Sequence, residues 1–135
     1  MIAPKVQRPT AAEERLAYEI ATVRDGDLCQ RCRRDCGPIA RDHRKNRSQG
    51  GPTLAHNLHL LGLRCHQWAT EHPLLAVAEG WAVPGWADPR EWPARRWLST
   101  MYGTHRLGWA LLDDVGGWTE ISEENARERM EGTAA

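Results

Sequence analysis

Arg41-Asp42-His43-Arg44-Lys45, Asn57-Leu58-His59-Leu60-Leu61 and Cys65-His66 decide how this chain is read. Residues 39–43 suit a short strand that ends on Asp42-His43. Residues 44–53 are polar, and Gly50-Gly51-Pro52 marks a loop. Residues 57–61 suit a second strand, with Leu58 and Leu60 on one face and His59 on the other. A short helix over 63–72 follows and is stopped before Pro73. Turn, strand, loop, strand and helix bring together two side chains able to bind a metal, Asp42 and His66. They also bring His43, an imidazole able to take a proton. Hydrolysis of a phosphodiester requires that a water lose a proton as it attacks and that charge on the phosphoryl and leaving oxygens be offset. A neutral imidazole suits the first task near neutral pH. One hard cation on Asp42 and His66 suits the second. Asn57, an amide that does not titrate, can hold the loop bearing His43.

Outward from this span, Thr10-Ala11-Ala12-Glu13 has the spacing of a capping box. A helix is predicted over 11–24, with Leu16, Ile20 and Val23 at helical spacing and Gly26 as its stop. Cys29-Gln30-Arg31-Cys32 reads as a tight turn, and residues 1–9 as loosely attached. After a short helix opened by Pro73 and running through 79, the seven tryptophans of the chain become frequent. Trp81, Pro84, Trp86, Pro89, Trp92, Pro93 and Trp97 read as extended chain. Residues 107–112 and 118–121, on either side of Asp113-Asp114-Val115-Gly116-Gly117, read as a β-hairpin. A charged tail, helical through 130, ends the sequence. There is no phenylalanine, so the tryptophans are expected to pack a small core more than to stack on bases.

The expected class is α+β. The 135 residues divide into an arm and helix (1–25), a core (26–80) and an extension with hairpin and acidic tail packed on that core (81–135). No apolar run approaches the length of a membrane span and no signal-peptide pattern precedes residue 10, so a cytoplasmic protein is expected. In that compartment four cysteines read as metal ligands better than as disulfides. The formal net charge of zero hides an asymmetry: residues 24–66 hold nine Lys/Arg against four Asp, and residues 111–135 hold seven Asp/Glu against two Arg. The middle of the chain therefore carries the potential that a polyanion seeks. Arg41, Arg44, Lys45 and Arg47 surround the proposed base and are expected to grip phosphates, with Arg33 and Arg34 extending the patch. His56 and His59 read as solvated or substrate-side residues.

At these positions the sequence resembles the HNH, or ββα-metal (treble-clef), endonucleases. The flanks resemble, more weakly, HNH proteins of tailed bacteriophages and prophages. The resemblance implies His43 as general base, Asp42 and His66 as ligands of a catalytic Mg²⁺ or other divalent ion, and Asn57 as the residue orienting the base loop. It implies double-stranded DNA as substrate and a phage terminase as a partner, and it gives no reason to expect a membrane. Many members hold a structural Zn²⁺ on two Cys-x-x-Cys pairs. Here Cys29 and Cys32 supply one pair and Cys65 half of the other, while its mate falls at Gly62. Cys36 could supply the fourth ligand, or the chain has lost the zinc and its thiols are core residues. A non-catalytic zinc-knuckle module that binds DNA or protein is the competing function.

Overall fold

The computed structural model describes residues 8–132, so the expectation for the first residues lies mostly outside the described part. Helix α1 spans Ala11–Asp25 and starts as its sequence dictates. Thr10 Oγ1 accepts from the Glu13 N–H at 3.1 Å, and Glu13 Oε1 accepts from the Thr10 N–H at 3.0 Å. Gly26, at φ 65°, ends the helix in the left-handed conformation. The buried face is not the one drawn by the large aliphatic residues. Leu16 and Val23 are exposed, and Ala17 and Ala21 pack on Leu58. Small side chains let the helix lie close to the strand beneath it.

That strand is β2, Leu58–Gly62, paired antiparallel with β1, Ile39–His43, in a register that sets Asp42 opposite His59 and His43 opposite Leu58. Every residue of β2 is buried. Its outer edge is closed by side chains and a turn: Asp25 Oδ2 accepts from the Leu60 N–H, Gln30 N–H donates to the Leu60 carbonyl, and Arg24 donates to the Leu58 carbonyl. Asn57, expected in the strand, belongs to the 3-10 turn Ala55–Asn57 just before it. Helix α2, Leu63–Glu71, follows β2 directly, and Pro73 opens α3, Pro73–Ala78.

The extension holds three strands, one more than expected. β3 (Ala94–Ser99), β4 (His105–Leu112) and β5 (Trp118–Ile121) form an antiparallel meander, and α4 (Glu123–Gly132) follows. β3 lies in the segment read as extended chain. It alternates, with Ala94, Arg96 and Leu98 buried, but an arginine on the buried face disguises the pattern. Arg96 reaches Asp25 at 3.0 Å and ties the meander to the end of α1. Trp81, Trp92 and Trp109 are buried, as packing residues should be, whereas Trp86 and Trp118 remain exposed. Among the described residues no helix is long and apolar enough to cross a membrane. The architecture is α+β.

Candidate metal centres and catalytic cleft

Two groups of side chains able to bind a metal lie at the β1–β2 ribbon. At one end, Cys29, Cys32, Cys36 and Cys65 place their sulfurs within 4.8 Å of one another, close to the spacing of about 3.8 Å that four thiolates take on one Zn²⁺. Backbone N–H groups of Cys32 and Arg31, in the turn after Cys29, and of Gly62, at the end of β2, point at the Cys29 sulfur. Burial pushes the Cys29 thiol up, but these donors outweigh it and bring its pKa to about 7. Cys65 goes the other way: burial, with the neighbouring thiols, pushes it up to about 12. Four such groups ionise together only around a cation. The donor set fits zinc.

The position of the fourth sulfur resolves the gap left by Gly62. A Cβ built on Gly62 would stand 2.2 Å from Cys36 Sγ. The Cys36 sulfur thus fills the space where a side chain at 62 would begin, and the glycine is what admits it. Cys36, in the loop before β1, thus offers its sulfur where the strand end carries no cysteine.

The second group lies in a cleft of about 390 Å³ lined by Asp42, His43 and His66, with Leu74, Val77, Trp81 and Pro84 among its other walls. Asp42 Oδ1 faces His66 Nδ1 at 2.8 Å, the separation of neighbouring ligands around one octahedral hard cation, about 2.9 Å. Burial pushes the Asp42 carboxyl up, but hydrogen bonds and charge from His59 and His66 more than offset this, and its pKa ends below the usual carboxylate value. A carboxylate and an imidazole in a solvent-reaching cleft suit a divalent ion.

His43 is half-buried at the end of β1, with Tyr18 edge-on to its ring at 6.4 Å between centroids. Its Nε2 lies 2.9 Å from Thr53 Oγ1. With Nε2–H donated to that hydroxyl, Nδ1 carries the lone pair. Burial lowers the His43 pKa, and the Arg47 charge lowers it further, so the ring is neutral at neutral pH. Asn57 clamps the loop between them. Its Nδ2 donates to the carbonyls of Lys45 and Pro52, both at 3.0 Å, and its Oδ1 accepts from the Lys45 N–H at 2.8 Å. Gly51 is required in that loop because a Cβ there would stand 1.9 Å from the Lys45 carbonyl oxygen.

The basic run divides. Arg41 and Arg47 are exposed; Arg41 lies over the Tyr18 ring, and the Arg47 charge acts on His43. Lys45 is half-buried and gives its ammonium to the Ala87 carbonyl at 2.9 Å. Arg44, expected to grip phosphate, is 2% exposed and is out of reach of any phosphate. It donates to the carbonyls of His56, Pro89 and Trp92 at 2.7, 3.1 and 3.0 Å. It is a staple between the base strand and the extension. His56 and His59 are also buried rather than solvated. His56 Nδ1 lies 2.6 Å from Asp114 Oδ1 of the β4–β5 turn, and His59 Nε2 lies 3.0 Å from Asp42 Oδ2. Thr53, which the sequence reading did not single out, thus contacts His43, and His59, read from sequence as solvated or substrate-side, instead contacts Asp42. The antiparallel register of the two strands was the signal that could have found His59.

The HNH endonuclease family model matches residues 29–71, which is less than half of the chain but includes both groups of side chains. This identifies the segment as a nuclease-type or metal-binding module. No curated relative and no solved structure matches the chain.

Proposed function

We propose that this protein is a divalent-metal-dependent endonuclease that hydrolyses phosphodiester bonds of double-stranded DNA. The observation that carries the reading is the convergence of Asp42, His43 and His66 on one open cleft, with the Asp42 and His66 donor atoms 2.8 Å apart. Asp42 and His66 hold the ion. When bound, the ion offsets charge on the phosphoryl and leaving oxygens. His43 Nδ1 takes the proton of the attacking water, while Thr53 holds the opposite edge of the ring. Asn57 keeps the loop behind the base in shape, and Arg41 and Arg47 hold neighbouring phosphates without reading sequence. The four cysteines hold a structural zinc that fixes the start of α2, and with it His66. The resemblance of the flanks to tailed-phage proteins supports a role beside a terminase in DNA packaging; co-purification with a terminase large subunit tests that role.

Supercoiled plasmid with Mg²⁺ or Mn²⁺ tests the chemistry. Nicking is expected, and His43→Ala lowers the rate by about 100-fold or more with an unchanged melting temperature. Equal nicking by both proteins, or none by either, overturns the mechanism. The cysteine cluster supports a second reading, a zinc-held module that binds DNA or protein without cutting. Salt-sensitive DNA binding unaffected by EDTA, without nicking, is the result that favours it.

A further inference from the structure

His59 stands across the ribbon from Asp42. Side chains opposite each other in an antiparallel pair share one face, and these two meet: Nε2 of His59 lies 3.0 Å from Oδ2 of Asp42. His59 is almost wholly shielded, its side chain 5% exposed, with Trp81 tilted against it at 6.5 Å between ring centroids. The other carboxylate oxygen, Oδ1, faces His66, whose side chain is 43% exposed. Asp42 therefore has one oxygen on a dry imidazole and one on a wet one.

The two imidazoles do not serve the same purpose. Among the described residues, the cysteines form the only group of three or more potential ligands whose donor atoms all lie within 4.8 Å of one another. His59 and His66 meet different oxygens of the Asp42 carboxylate, Oδ2 and Oδ1. The terminal torsion of an aspartate is soft and broad, so a carboxylate tethered at one oxygen only would turn freely. A buried N–H on Oδ2 removes that freedom, and the low local dielectric strengthens the bond.

Building on the nuclease reading, we propose that His59 is a positioning residue for the catalytic metal site: it donates Nε2–H to Asp42 Oδ2 and so aims Oδ1, together with His66, at the ion. Partners of this kind around ligating groups are worth about 10–100-fold in metal affinity. The role is distinct from that of a ligand, which would have to be exposed to the ion itself.

The test uses the full chain with its cysteine site loaded with zinc. Mn²⁺ affinity is read by calorimetry and by the spin-resonance signal of free Mn²⁺, and plasmid nicking is read against Mn²⁺ concentration. His59→Leu and His59→Met remove the donor while keeping an apolar side chain of useful size, and the comparison uses whichever keeps the wild-type circular dichroism spectrum. His59→Gln restores an N–H at similar reach. Mn²⁺ affinity is expected to fall about 10–100-fold in the apolar variant, with nicking at saturating Mn²⁺ within a few-fold of wild type, and His59→Gln is expected to recover most of the loss. Wild-type Mn²⁺ affinity in a folded apolar variant overturns the proposal, as does a His59→Gln protein as impaired as the apolar one. A wild-type protein that neither binds Mn²⁺ nor nicks instead removes the nuclease reading beneath it.

Discussion

Residues 29–71 and residues 81–132 are held by different physics. The first span contains both candidate metal sites, yet its buried apolar residues are few: Ala55, Leu58, Leu60, Leu61 and three of the cysteines. The second contains three paired strands and the buried tryptophans Trp81, Trp92 and Trp109. They are joined by polar contacts, chiefly Arg44 to Pro89 and Trp92 and His56 to Asp114, while Arg96 ties the second span to Asp25 at the end of α1. The family-matched segment holds the candidate site, and much of what covers it comes from outside. Segments of about 40 residues seldom sustain a core without metal or other staples.

The largest effect comes from separating the two. A chain ending at Gly80 is expected to lose cooperative unfolding and amide dispersion in NMR spectra even with zinc present, because Arg44 and Asp25 lose their partners. A folded, metal-binding fragment would break the comparison. Next, Cys36→Ser is expected to lose zinc and unfold, and Gly62→Cys alone to be disrupted, since its Cβ would meet Cys36 Sγ at 2.2 Å. Cys36→Gly with Gly62→Cys returns the ligand to the strand end and is expected to restore one zinc per chain, measured by elemental analysis. Arg44→Met follows: it leaves three buried carbonyls without donors and is expected to cost about 3 kcal/mol in urea unfolding, whereas Arg47→Met leaves stability unchanged. The smallest effect concerns acid. Burial pushes the Asp25 carboxyl up, but Arg24 and Arg96 more than offset this and hold its pKa below the usual value. A carboxylate with a depressed folded pKa contributes stability that is present above its unfolded pKa and is lost as pH falls through the folded one. Asp25→Asn is therefore expected to flatten the dependence of stability on pH below about 4, read from urea midpoints.

The same division governs how much the sequence disclosed. β1, the capping box of α1 and the hairpin of β4 and β5 follow from local rules that act within a few residues. The site motif was legible because Asp42, His43, Asn57 and His66 sit at fixed steps along one short supersecondary unit. Whatever depends on contact between distant segments was hidden. Arg44 looks like part of a solvated basic run until carbonyls from Pro89 and Trp92 surround it. Arg96 breaks the alternation of β3 because its partner, Asp25, lies far away in sequence. The purpose of Gly62 becomes visible only when Cys36 is seen occupying its side-chain space.

The closed edge of β2 bears on self-association. A short ribbon ordinarily leaves a row of free amides and carbonyls along which a strand of another molecule can add. On this side, those groups at Leu58 and Leu60 are already taken by Arg24, Asp25 and Gln30. An incoming strand would have to expel the shielded Arg24–Asp25 ion pair before forming its first rung, so strand addition is barred along the edge of the very element that pairs with the Asp42 strand.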